Sequence, residues 1–295
     1  MLRTEQINIR DPFVLNEGGQ FYLYGTRAAT CWGAADGFDV YTGTDLETWE
    51  GPFPCFRNDG SFWADRNYWA PEVCRVGGAF FMFASFKSET RRRGTAVLRA
   101  ASPLGPFLPW SDGPVTPQDW ECLDGTLYFS REGRPYMVFC HEWVQAGDGE
   151  ILAMPLSADL KAAAGEPFLL FRASEAAWSV PVRHSSGVTG YVTDGPFLWR
   201  ADHGALFCLW SGFSAEGYAQ GLAVSSNGEI DGRFSQLSPL FLHDGGHGMI
   251  FRKPGGETCL ALHSPNDHLQ EHPVFLPVDF EKKYFYKIVK KVLTI

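Results

Sequence analysis

Short apolar runs, each closed by one polar or thiol residue, recur along the chain behind glycine-bearing turns. Five of them read alike: QFYLYGT (20–26), AFFMFAS (79–85), RPYMVFC (134–140), ALFCLWS (205–211) and ETCLALH (257–263). The turns before them are NEGG, VGG, REG, ADHG and KPGG. Runs of this length, rich in aromatic and aliphatic residues and bounded by turn residues, predict strands. A further strand-like stretch follows four of them, as in DVYTGTD (39–45), TAVLRAASP (95–103), EILAMPLSA (150–158) and GLAVSSNG (221–228). One more motif precedes each turn: RDPF with Asp11, WAPEV with Glu72, LDGTLYF with Asp124, TDGPFL with Asp194 and GGHGMI with His247.

From Asp11 the intervals to Glu72, Asp124, Asp194 and His247 are 61, 52, 70 and 53 residues. Each interval holds four strands of ordinary length with their loops. A unit repeated at this period predicts a radial array, here an all-β, five-bladed β-propeller with four-stranded blades around a central axis. A two-sheet sandwich is the alternative fold, but it gives no reason for five aligned copies. No stretch of a dozen residues carries helical periodicity. KAAAGEPF, from 161, is stopped by Gly165 and Pro167. The tail is read as a hairpin, HPVFLPVDF turning into YFYKIVKKV. No linker or low-complexity stretch divides the sequence, so one domain is expected over 1–295.

Composition narrows the function. The net charge of −9 over 295 residues disfavours nucleic acid, which needs a clustered basic surface. The one basic cluster (Lys282, Lys283, Lys287, Lys290, Lys291) reads as a solvated edge strand. No apolar run approaches a membrane span. Seven cysteines, an odd number with no CxxC pair, suit a reducing compartment and argue against structural zinc. With no apolar segment ahead of RDPF, a cytoplasmic location is expected. Aromatics reach 15%, enough for a core and for sugar-stacking faces.

Equivalent positions of a radial array meet at one axis, which makes Asp11, Asp124, Asp194 and His247 candidates for a single site. Read alone, Asp-Pro or Asp-Gly is a turn and a lone histidine is a core residue; the shared register favours catalysis. An acid working near neutrality needs burial or a like charge beside it, which Asp124 would supply to Asp194. Trp69 offers a sugar platform, and Glu72 and Arg10 are read with it as substrate-binding candidates. Glycines flank His247, which is counted both as a substrate contact and as a metal ligand. No serine-hydrolase elbow, P-loop, dinucleotide fingerprint or zinc-protease motif is present.

The five motifs, in this order and spread over essentially the whole chain, resemble those of family 43 glycoside hydrolases, which are five-bladed propellers. The resemblance implies that Asp11 is the general base, Asp124 the pKa modulator and orienter, and Asp194 the general acid. His247 matches an axial histidine that in some members helps to hold a calcium or sodium ion through water; no cofactor is otherwise required. The family's acid motif is Glu-Gly-Pro, so Asp194 reaches one methylene shorter. The expected activity is an inverting, exo-acting or debranching cleavage of arabinosides or xylosides, with an oligosaccharide substrate. Inverting pairs stand roughly 6.5–9.5 Å apart to admit a water. Two rivals remain at this point: an invertase-type fructoside hydrolase using Asp11 and Glu121, the latter in a Trp-Glu-Cys motif, and a non-catalytic sugar-binding propeller. The Arg91–Arg93 run reads as a solvated loop.

Overall fold

The computed structural model describes residues 1–280 and arranges five antiparallel sheets around one axis. The five inner strands are Ile9–Glu17, Arg66–Val76, Cys122–Phe129, Asp194–Arg200 and Gly246–Arg252. Each contacts the next, and the fifth returns to the first, which a sandwich would not do. The five repeated phrases form the second strands: Gln20–Arg27, Ala79–Lys87, Pro135–His141, Leu206–Ser214 and Thr258–Ser264. Blades two, three and four have four strands each. Blade one gains a fifth from Leu2–Arg3, and blade five has three among the described residues, ending with His272–Pro277. The second half of the expected terminal hairpin and the lysine cluster lie outside the described residues. The single α-helix among the described residues is four residues long, Trp143–Ala146.

The second strands are apolar through their middles because the neighbouring blades cover both their faces. Ala79 to Phe86 are all buried. Apolar clusters bridge blade to blade: Phe83 and Val97 of blade two pack with Met137 and Phe139 of blade three, and Leu209 and Leu222 of blade four with Ile250 and Leu260 of blade five. Strands buried on both faces lose the polar alternation of a surface sheet.

Every inner strand carries a bulge at the same place. Ladder pairing holds at Arg10, Trp69, Leu123, Asp194 and Gly246, skips two residues, and resumes at Phe13, Glu72, Thr126, Phe197 and Met249; blade two has a second irregularity between Arg66 and Trp69. The first skipped residue always has positive φ: Asp11 (53°), Ala70 (46°), Asp124 (57°), Gly195 (50°) and His247 (52°). The second is Pro12, Pro71, Gly125, Pro196 or Gly248. Proline brings no N–H to orphan at a bulge, and Gly125 fits because an added Cβ would lie 2.6 Å from Thr95. Asp and His tolerate the left-handed region better than most side chains. The bulge re-aims the skipped side chains toward one end of the axis.

Candidate active site

The common bulge corrects the register expected from sequence. Asp11, Asp124 and His247 are structurally equivalent, but Asp194 stands one residue before the bulge of its strand and Glu72 one residue after. Ala70 holds the equivalent place in blade two. The structure brings Arg10, Asp11, Trp69, Asp124, Asp194 and His247 together in one well of about 60 Å³. The well opens into a cleft of about 710 Å³, bordered by Trp32, Arg93, Glu142 and the turn around His184.

Glu72 is not in the well. It lines a separate cavity of about 690 Å³ with Phe13, Thr126, Phe197 and Met249, its equivalents in the other four blades. Past the bulge, side-chain alternation resumes with the opposite sense, so Glu72 looks into the other end of the axis. Burial there pushes its carboxyl up to about 8, against a hydrogen bond donated by the Thr126 hydroxyl. It is not a substrate ligand of this site.

Asp11 is buried, with Oδ2 accepting from the Thr26 hydroxyl at 2.6 Å and Oδ1 lying 3.1 Å from His247 Nδ1. Burial disfavours its charge, but His247 and Arg10 outweigh that and hold the carboxyl below its ordinary value. Arg10 is fixed by the buried Glu271 at 2.8 Å and stacks over Trp32. Asp124 Oδ2 accepts the Gly195 N–H at 3.0 Å and lies 3.8 Å from His247 Nδ1. Asp194 Oδ2 accepts from the Tyr218 hydroxyl at 3.0 Å. Both carboxyls are raised to about 7, mainly by burial and next by a neighbouring carboxylate: Asp11 for Asp124, and Asp124 for Asp194. Such a pair shares its proton and titrates as a unit.

A polar belt supports these groups. The last residue of each repeated phrase faces the bulge of the following blade. Thr26 Oγ1 accepts the Ala70 N–H, Ser85 Oγ that of Asp124 and Ser211 Oγ that of His247, each at 2.7 Å. His263 Nδ1 accepts the Asp11 N–H at 3.1 Å and closes the circle. That bond fixes the tautomer of His263, whose Nε2 then carries the hydrogen toward Asn266 Oδ1. Burial, with Arg10 next, pushes its pKa down to about 3, so the ring stays neutral.

Sequence reasoning missed Tyr218 and the belt, although the belt is spelled by the closing letters T, S, C, S and H of the five phrases. It also misplaced Arg93. The Arg93 side chain is largely buried, lies 4.0 Å over the Trp69 ring and pairs with Glu142 at 2.6 Å, so it forms part of the cleft wall. Glu121 is held by Lys87 and the Arg93 N–H; although burial opposes it, these keep its carboxyl below the ordinary value. It lines neither well nor cleft, which removes the geometric basis for the fructoside reading. Among the described residues no group of three or more His, Cys, Asp or Glu side chains could hold a metal ion. His247 faces Asp11 and Asp124 through Nδ1, and its other edge packs on Gly195. One imidazole does not fit a directly coordinated ion.

Among known proteins, an endo-arabinase structure from Bacteroides thetaiotaomicron VPI-5482 is similar at 39% identity over 96% of this chain and 98% of that one, with a TM-score of 0.90. The extracellular exo-α-(1→5)-L-arabinofuranosidase ArbA of Cellvibrio japonicus (strain Ueda107) is 23% identical over 267 residues, 84% of this chain and 72% of the relative. An α-L-arabinofuranosidase from Lactobacillus brevis shares the fold at 17% identity and a TM-score of 0.73, over 93% of this chain and 92% of that one. The extracellular relative overturns the cytoplasmic expectation. Six of the seven free thiols are buried as apolar packing, and such thiols carry no record of compartment. The model of glycosyl hydrolases family 43 matches residues 5–283, nearly the whole of the sequence, and the chain therefore belongs to that family of glycoside hydrolases.

Proposed function

We propose that this hydrolase cleaves arabinofuranosyl linkages of arabinan-type oligosaccharides with inversion, outside the cytoplasm. Asp11, held ionised by His247 and Arg10 and oriented by Thr26, takes a proton from the attacking water. Asp194, kept protonated near neutrality by burial and by Asp124, gives its proton to the leaving oxygen. Asp124 carries the charge that supports the acid, and Trp69 and Arg10 form walls of the well that receives the sugar.

The observation that carries this reading is the divergence of two buried carboxyls in one well: Asp11 lowered, Asp194 raised. Carboxyls driven apart by their surroundings mark base and acid. The relatives named for arabinan cleavage support the sugar. The test is hydrolysis of α-1,5-linked arabino-oligosaccharides beside aryl arabinosides and xylosides, with proton NMR of the first-formed anomer. Arabinoside turnover with an inverted product is expected. Retention, or turnover confined to xylosides, overturns the proposal.

A further inference from the structure

The belt around the axis is broken once. Four of its five positions carry an oxygen or nitrogen acceptor (Thr26, Ser85, Ser211 and His263), and each takes the bulge N–H of the following blade. The fifth is Cys140, opposite Leu123 in blade three. A thiol is a weak acceptor. The N–H that faces this position, that of Gly195, goes instead to Asp124 Oδ2 at 3.0 Å. Blade one shows the alternative. There the Ala70 N–H binds Thr26 Oγ1, and the hydroxyl passes its own hydrogen on to Asp11 Oδ2. A hydroxyl thus stands between the next blade and the Asp11 carboxylate, holding that charge one hydroxyl away, whereas none stands between the next blade and Asp124.

We propose that Cys140 is a positioning residue: by declining the Gly195 N–H, it lets Asp124 bind directly to the backbone of the residue beside Asp194. The bond draws the Asp124 charge against the acid. It also stabilises that charge on Asp124 rather than on Asp194, so the shared proton stays where a leaving group needs it. The other groups facing the pair pull in both directions. Glu142 opposes charge on either member, and Asp11 opposes it on Asp124. His247 favours charge on Asp194 and lies within 3.8 Å of Asp124. Arg93 favours charge on Asp124, Tyr218 favours it on Asp194, and Glu72 on the far side repels Asp124. Cys140 itself is a buried thiol whose pKa burial drives well above the ordinary range, so it adds no charge.

This inference rests on the assignment of Asp194 as acid, and its test is separable from that assignment. Once the wild-type pH profile of kcat/KM is known on an arabinoside, Cys140→Ser and Cys140→Ala are compared with it. The serine hydroxyl takes the Gly195 N–H and passes its own hydrogen to Asp124, as Thr26 does between Ala70 and Asp11, so the Asp124 charge stands one hydroxyl further from the acid. Repulsion on Asp194 then falls, its proton leaves more easily, and the alkaline limb moves to lower pH by half a unit or more, with kcat down at least fivefold at neutral pH. Alanine offers no acceptor, so its alkaline limb stays in place. Equal shifts for Ser and Ala, or no shift for Ser, overturn the proposal while leaving the hydrolase reading intact; wild-type inactivity on arabinosides defeats the latter alone. A measurement on the unmodified protein covers the case in which the serine variant does not fold. With ¹⁵N-glycine labelling, the Gly195 amide resonance is expected to titrate with the midpoint of that limb. A Gly195 signal unmoved between pH 5 and 9 also overturns the proposal.

Discussion

Asp11 and Asp194 are both buried carboxyls on the wall of one well, yet their surroundings drive them in opposite directions from the ordinary carboxylate value. Asp11→Asn removes the base without removing bulk. We expect kcat to fall by about 10³-fold, within the range for general base catalysis, with Tm within a few degrees of wild type in a thermal melt. Tyr218→Phe probes the acid. The phenol donates to Asp194 Oδ2 and so favours the charged form; without it the folded-state pKa of Asp194 rises. The alkaline limb of kcat/KM should move to higher pH by roughly half a unit to one unit, the equivalent of one hydrogen bond. This is opposite in direction to Cys140→Ser, so the two profiles report separately on Asp194 and its neighbour. At this scale Asp11, Asp124 and His247 were legible because each stands on the same strained residue of its blade. Asp194 was legible from its motif, although its true offset was not. Glu72 misled because a strand reverses its facing across a bulge, and a bulge leaves no mark in an apolar pattern. Arg93 was lost among two other arginines, since a string of charges does not reveal which member folds back onto Trp69.

The inner strand with its bulge is the element that turns a repeat into a site. Holding Asp11, Asp124 and His247 at positive φ stores strain of order 1 kcal/mol at each. The belt hydrogen bonds from the preceding blade offset that strain and fix the direction of each side chain. Ser85→Ala leaves the Asp124 N–H buried without its acceptor. The expected loss is about 1–3 kcal/mol in a denaturant titration, together with a fall in kcat larger than any change in KM. Equal loss of stability with unchanged kcat would show that the belt supports the fold alone. The strands themselves were readable, because phrases packed between two blades are apolar through their middles and each follows a turn. The belt was printed in the same phrases. Its meaning was hidden because the partner of each closing residue lies some 30 to 45 positions later, or, for His263, back at the start of the chain.

A ring of blades must join its last member to its first, and here the junction runs through the active site. Leu2–Arg3 adds to the outer edge of blade one and not to blade five, so among the described residues no strand is exchanged across the seam. Apolar packing joins Phe21 to Phe251, and polar contacts cross with it, among them the Asp11 N–H to His263, the Asn16 amide to the Arg252 carbonyl, the Asn8 amide to the Glu271 carbonyl, and Arg10 to the Glu271 carboxylate. The last is the strongest lever, because Glu271 is fully buried and Arg10 nearly so. Breaking such a pair from one side leaves a charge without a partner in a dry setting, at a cost of about 3–5 kcal/mol. Glu271→Ala is therefore expected to lower Tm by on the order of 10 °C by calorimetry. The loss should also appear locally, as faster hydrogen exchange in Ile9–Glu17 and Gly246–Arg252 than in the inner strand of blade three, because opening begins at the seam. Arg3→Ala provides the contrast: its pair with Glu5 is exposed, and no measurable change in Tm is expected. A Glu271→Ala protein with unchanged Tm would mean that Trp32 and solvent hold Arg10 well enough without its carboxylate, and that apolar packing alone closes the ring.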